Sequence, residues 1–254
     1  MKCLCWVKGM LDIKDIYAGY LKKLNEENRI NRYEDKESWF HASSSGMCMR
    51  KIYYNSIEQV EAAPIDDNTL RLFRLGDLVH NDIQDALQLH AEKEKVDVLI
   101  EEEIRIQDIN VRGFFDICIV DDDAMYDVKT CNSFKWRNLF GRTPDPEPAE
   151  NYALQLGTYA YWYQQKYDVE LQKLALLYYN KDTSLMREVN VPKSFIIKAY
   201  EYWKDVNERF KIGIPEVSLG TAPVYEWECN VKYCGYYNHC GGGLKGQSKW
   251  TKGR

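Results

Sequence analysis

The period of the apolar positions changes several times along the chain, and each change marks an element. Over residues 11–25, Leu11, Ile16, Tyr17, Tyr20, Leu21 and Leu24 recur at helical spacing and predict an amphipathic helix. The charged stretch 25–38 predicts a loop. In SWFHASSSGMCMRKIYYN, Ser43–Ser45 and Gly46 mark a helix start just before Cys48. Residues 58–67 form a polar linker, and Asp66, Asp67 and Asn68 offer N-caps to a helix over about 68–92. Residues 96–107 and 110–120 then predict strands; Asp121, Asp122 and Asp123 turn the chain, and 124–130 completes a β-hairpin. A short helix or loop covers 135–142, and TPDPEPAE is a proline-broken loop. A helix over about 149–167 follows, then a hairpin of 172–180 and 186–191, then a helix opened by Pro192 and running to Phe210. Helical periodicity stops at Ile214, and cysteines and glycines punctuate the rest. The pattern predicts an α/β fold with a mixed central sheet flanked by helices, one domain over 1–254 with its core at about 68–212.

The first hairpin, Gly113 to Lys129, carries the strongest chemical signal. A turn of two or three residues sets Asp116 opposite Asp127, or one position off, while Asp127 and Lys129 share a face by strand alternation. Two carboxylates held that close repel each other, and a divalent cation is the natural compensation. On the preceding helix, Phe73, Ile83 and Leu87 lie on the side of His80, which points the imidazole inward, and Gly76 permits a close approach one turn earlier. Gln155 and Tyr159 stand four apart on a later helix. Taken singly, each piece has a plainer meaning: a solvated Asp-x-Lys face, a core histidine, a packed Gln and Tyr. Their order and spacing together favour a functional site. Glu101, Glu102 and Glu103 lie on the adjoining strand, where one of them could reach the site, but a solvated edge is the expected reading.

Composition narrows the setting. With 254 residues, 45% apolar and 29% charged, the chain can bury a sizeable core, and no apolar run reaches membrane-spanning length. The start, MKCLCWVKGM, has no signal-peptide core, so a soluble, cytoplasmic protein without membrane contact is expected. A net charge of −5 argues against broad non-specific nucleic-acid binding but allows a basic groove beside an acidic site. Eight cysteines are many for a reducing compartment, where clustered cysteines bind metal more often than they form disulfides. Lys245 precedes Gly rather than Ser or Thr, and no strand leads into the glycines, so there is no P-loop and no ATP site. Residues 244–254 form a basic tail.

The motifs in combination resemble the RecB-like branch of the PD-(D/E)XK nuclease superfamily, which includes CRISPR-associated RecB-like exonucleases and stand-alone phage nucleases. RLGDLVHNDI is similar to the G-x-x-x-H helix of that branch, GFFD to its G-x-x-D strand, YDVKT to its (D/E)-x-K strand with Asp in place of the commoner Glu, and QLGTY to its Q-x-x-x-Y helix. The resemblance implies a restriction-endonuclease-like fold and metal-dependent phosphodiester hydrolysis on DNA, with single-stranded ends as substrate. It implies that His80, Asp116, Asp127 and the carbonyl of Val128 bind Mg²⁺ or Mn²⁺, that Lys129 orients the attacking water, and that Gln155 and Tyr159 hold the strand or support Lys129. HASSSGMCMR resembles the upstream cysteine site of a [4Fe–4S] cluster, completed by Cys229, Cys234 and Cys240, although Cys229-x4-Cys234 is two residues longer than the usual spacing. Zn²⁺ is the alternative, with His239 as a substitute ligand. Either metal makes residues 43–55 and 214–243 a clasp. Lys135, Trp136, Arg137 and Arg142 are candidate nucleic-acid contacts. Spacer processing with protein partners, or a non-catalytic DNA-binding or assembly subunit, are alternative roles, and a redox Fe–S protein is disfavoured by the complete hydrolytic set. The compact stand-alone form suggests a phage-encoded enzyme.

Overall fold

A computed structural model describes residues 11–33, 39–142, 149–215 and 228–241. The chain divides into two compact units, one of residues 1–37 and 65–77 and the other of 38–64 and 78–254. In the first, helix α1 spans Ile13–Tyr33 and buries Ala18 and Leu21. It runs well beyond residue 25, through the stretch expected to be a loop. No Gly or Pro interrupts residues 20–33, and Lys23 pairs with Glu27 one turn on at 3.7 Å, so charge supports the helix instead of breaking it.

The second unit holds the sheet. Strand β1 is the short Phe40–His41, missed in the sequence, and Met49–Ser56 forms α2 with Cys48 as its N-cap. Helix α3 spans Asp67–Glu94, starting in the first unit, where the Asp66 carboxylate accepts from the backbone N–H of Asn68 at 3.0 Å and Thr69 at 3.2 Å. Strands β2 (Val98–Ile106), β3 (Val111–Ile119) and β4 (Ala124–Cys131) follow, then α4 (Ser133–Phe140) and α5 (Glu150–Tyr167). Strands β5 (Lys173–Asn180) and β6 (Met186–Asn190), helix α6 (Ser194–Ile212) and the single turn α7 (Tyr237–Cys240) complete the described chain.

The sheet is mixed. β2 lies antiparallel along the whole of β3, from Val98↔Ile119 to Ile106↔Val111. Because a strand has only two edges, β1 and β4 share the other edge of β3: β1 runs parallel at Val111–Arg112, and β4 antiparallel at Ile117–Ile119. The β3–β4 ladder ends at Ile117↔Tyr126, whereas β4 stays paired with parallel β5 through Cys131↔Asn180. Past Tyr126, β4 thus keeps β5 and not β3 as its ladder partner. The turn between β3 and β4 takes four residues, 120–123, rather than two or three, because Val120 joins the aspartates in a 3₁₀ turn that ends with Asp123 in the left-handed region at φ 48°.

Helix α5 is sandwiched, not amphipathic: every residue from Ala153 to Ala160 is buried. Gly157 permits this layering, since a Cβ there would lie 2.3 Å from the Phe195 carbonyl oxygen at the start of α6. On α6, the fully buried Trp203 donates its indole N–H to Thr158 Oγ1 of α5 at 3.0 Å and stacks on Phe40 with ring centroids 5.7 Å apart. Cys118 and Cys131 are core residues, while Cys3 and Cys5, most of the proline-broken loop and the basic tail lie outside the described residues. Among the described residues no helix is long and apolar enough to cross a membrane.

Candidate active site

The end of the β3–β4 ladder creates the local chemistry. One position beyond Ile117↔Tyr126, Asp116 and Asp127 face each other across strands that no longer exchange main-chain bonds there. The Asp116 side chain fills the missing place: its Oδ2 accepts the backbone N–H of Val128 at 2.6 Å. A carboxylate is thereby fixed in the wall of the sheet, 9% exposed. Asp127 is buried to 1%, and its Oδ2 lies 2.5 Å from Lys129 Nζ. That contact is a charge pairing, yet Oδ2 accepts no directed hydrogen bond.

Helix α5 closes the cluster. The Gln155 amide N–H₂ donates to Asp127 Oδ1 at 3.3 Å and to the Tyr159 hydroxyl at 3.0 Å, and its Oε1 accepts from Lys129 Nζ at 3.2 Å. The pair expected from its four-residue spacing therefore acts as one unit on the Asp-x-Lys strand. Gly113 lets Tyr159 in, because a Cβ there would come within 3.0 Å of Tyr159 Cε1 and of Ala42 Cβ. From α3, His80 Nδ1 approaches Asp116 Oδ2 at 3.6 Å. Ile83 and Leu87 sit half-buried on that side of the helix, but Phe73, expected there too, is 54% exposed.

Electrostatics follow from crowding. Burial and the neighbouring Asp127 charge push the Asp116 carboxyl well above the usual carboxylate range, although Lys129 and the Val128 N–H pull the other way. For Lys129, burial alone would favour the neutral amine, but Asp127 and Asp116 outweigh it and hold the ammonium above its ordinary range. Burial, then Asp127, raises Tyr159 as well, so its hydroxyl is a neutral hydrogen-bonding group. Two carboxyl groups thus share one ammonium, and Asp116 is the one pushed toward its protonated form.

Glu101 on β2 is exposed and lies beside this cluster. The flanking pairs Ile100↔Ile117 and Glu102↔Phe115 put it opposite Asp116, and its φ of 52° breaks the extended backbone at that point. Buried Gln84 on α3 donates to Glu101 Oε1 at 2.8 Å and to the Asp116 carbonyl at 3.2 Å. The expected solvated edge holds for Glu101, which is exposed, and in part for its half-buried neighbours, which pair with Lys166 (Glu102, 2.6 Å) and Arg105 (Glu103, 3.0 Å).

Of the candidate nucleic-acid contacts, Arg137 and Arg142 are exposed, while Lys135 Nζ lies 4.4 Å over the Tyr152 ring. Trp136 is a correction: it is 8% exposed and packs on Phe140 at 4.6 Å, so the indole serves the core and does not present a face for stacking a base. Cys48, Cys229, Cys234 and Cys240, up to 192 positions apart, line one cavity with Arg50, whose Nη1 is 3.6 Å from Cys240 Sγ. All four are free thiols, and burial raises the proton affinity of Cys48 and Cys234. Arg50 Nε also donates to the Pro215 carbonyl at 2.7 Å, and Tyr236 OH to Asn55 Oδ1 at 3.1 Å, so polar contacts join α2 to the C-terminal segment. His239 instead stacks edge-on against Tyr54 at 4.7 Å. Among the described residues no three His, Cys, Asp or Glu side chains close on one point as a finished metal site would.

No protein-family model matches the chain, and comparison with curated proteins finds no match. Among solved structures, the crystal structure of SSO0001 superposes with a TM-score of 0.54 at 19% identity, covering 90% of this chain and 98% of that one. The alkaline exonuclease LHK-Exo from Laribacter hongkongensis gives a TM-score of 0.44 at 12% identity, and its complex with dAMP gives 0.47 at 11%, each covering 70% of this chain and 90% of the other. Overlap as low as the last two carries no argument about activity. The chain is a mixed α/β protein, its central sheet flanked by helices, that shares its fold with SSO0001.

Proposed function

We propose that the protein is a divalent-metal-dependent DNA nuclease of the RecB-like type, an exonuclease acting on single-stranded ends. The observation that carries this reading is the single cluster of Asp116, Asp127, Lys129 and Gln155 at the point where the β3–β4 ladder ends. The donor chemistry fits a hard or borderline dication: two carboxylates, an imidazole and the Val128 carbonyl, with a buried Asp127 oxygen that has only the Lys129 ammonium, 2.5 Å away, as its partner. His80, Asp116, Asp127 and Val128 would hold Mg²⁺ or Mn²⁺. The bound ion supplies Lewis acidity, making water a stronger acid and stabilising charge on the phosphate oxygens. Lys129 holds its proton and turns an ammonium toward the attacking water and the scissile phosphate. Gln155 fixes the positions of Lys129 and Asp127 together, and Tyr159 braces Gln155 from below. Arg137 and Arg142 offer charge to a DNA backbone.

The test uses end-labelled single-stranded DNA with Mn²⁺, with and without EDTA, beside Asp116→Ala and Asp127→Ala. Mononucleotide release by the wild type alone, and only with metal, is expected. Equal degradation by all three proteins would sink the reading. For the four thiols, a [4Fe–4S] cluster that clasps residues 43–55 to 214–243 is proposed, since they line one cavity from distant parts of the chain. Anaerobically purified protein should be brown and lose its colour in Cys240→Ser; colourless protein with stoichiometric zinc would replace iron by Zn²⁺.

A further inference from the structure

Resting on the metal-centre reading above, we infer that Glu101 is a third carboxylate of that centre, serving to position the divalent cation. Three observations carry it. The register puts Glu101 opposite Asp116, which itself faces Asp127, so three adjacent strands each contribute one acidic residue to one row. Second, the backbone leaves the extended region at this residue alone within β2, at φ 52°. A non-glycine residue in that region is strained, and within β2 the strain falls on the residue beside the buried carboxylates. Third, Gln84, itself 6% exposed, grips Glu101 Oε1 and the Asp116 carbonyl with one amide nitrogen, fixing the two strands' acidic residues to each other.

Charge points the same way. Glu102 and Glu103 each meet a cation, Lys166 and Arg105, whereas Glu101 is held by an uncharged amide. Asp127 Oδ2, buried beneath, has the Lys129 ammonium as its partner at 2.5 Å. A fold that merely needed to join α3 to β2 could do so through a neutral pair. A strained, exposed glutamate beside two buried aspartates gives a hydrated dication a contact at the solvent side of the cluster.

Two variants separate this role from simple bracing. Glu101→Gln keeps an acceptor for Gln84 and removes the charge. Glu101→Gly removes the carboxylate and relieves the left-handed backbone. Mn²⁺ binding to the full-length protein is measured calorimetrically, without DNA, beside thermal unfolding in EDTA and with Glu103→Gln as control. Both Glu101 variants should bind Mn²⁺ about tenfold more weakly, with unfolding temperatures no lower than wild type and the control unchanged. Wild-type Mn²⁺ affinity in both variants would overturn the inference and leave Glu101 as a brace. If the wild type itself binds no Mn²⁺, the metal centre fails and the role of Glu101 fails with it. If only the Glu101 variants are impaired in DNA cleavage at saturating Mn²⁺ while their Mn²⁺ affinity is intact, the centre stands and the inference falls.

Discussion

Replacing Gly157 by alanine isolates the contact on which the placement of Gln155 and Tyr159 depends. In an open helix the change would stabilise by about 1 kcal/mol, because glycine is the poorer helix former. Here the added Cβ would stand 2.3 Å from the Phe195 carbonyl oxygen, 2.8 Å from its carbon and 3.2 Å from Ala199 Cβ. Two of those partners are backbone at the first turn of α6, so no rotamer change relieves the overlap. Reaching ordinary contact requires α5 and α6 to separate by roughly 1 Å, which loosens the Trp203–Thr158 bond as well, and overpacking of this kind costs about 1–3 kcal/mol or more. With the propensity gain subtracted, a net loss of about 1–2 kcal/mol is expected, or about 2–8 °C in unfolding temperature for a chain of this size. Thermal unfolding by circular dichroism measures it, with Gly213→Ala as a poor comparison because its φ of 126° carries strain of its own, and Gly19→Ala as a better one because its Cβ meets nothing within 4 Å. A Gly157→Ala protein as stable as wild type would refute the argument that backbone contact sets the α5–α6 spacing.

Asp116→Asn should change the pH dependence of stability in EDTA. Native Asp116 holds its proton above the range of the unfolded carboxyl, so wild-type stability from this group is complete below the unfolded pKa and is lost as pH rises through the native one. The asparagine variant escapes that loss, so its advantage in denaturant unfolding should be largest at alkaline pH and vanish near pH 4; an advantage growing toward acid would be the wrong sign. Trp203→Phe keeps most of the ring volume but removes the indole donor to Thr158, whose hydroxyl still donates to the Leu154 carbonyl at 2.8 Å. A loss of about 1–2 kcal/mol is expected in denaturant melts, and no change would mean the buried bond contributes nothing. Gln155→Leu removes the donor to Asp127 and the acceptor for Lys129, and should lower nucleotide turnover while DNA affinity, read by anisotropy, stays near wild type.

Local alternation was enough to expose the hairpin, because Asp116, Asp127 and Lys129 lie within two strands and one turn. Helix spacing likewise placed His80 toward the sheet and Gln155 one turn from Tyr159. The parts that stayed hidden depend on contacts between distant segments. Glu101 is exposed, as a solvated edge requires, but period two assumes extended backbone and could not show the left-handed conformation at that residue. Gln84 gave no signal at all: a polar residue on a helix reads as surface until a strand covers it. Strand β1 is two residues long and pairs in parallel, which leaves no periodic trace. Trp136 seemed available to nucleic acid because basic residues surround it in sequence, yet on α4 the indole turns to the core while Arg137 turns out. The thiols show another case: only Cys229, Cys234 and Cys240 cluster in sequence, the family resemblance alone grouped Cys48 with them, and all four line one cavity.

The central claim is that Lys129, held between Asp127 and Gln155, acts on the scissile phosphate. Its most direct test is the single-turnover rate of nucleotide release from single-stranded DNA by wild type and Lys129→Ala at saturating Mn²⁺, with DNA binding measured in parallel. The account predicts a loss of about 100-fold or more in rate with DNA affinity little changed. Equal rates in the two proteins would contradict it.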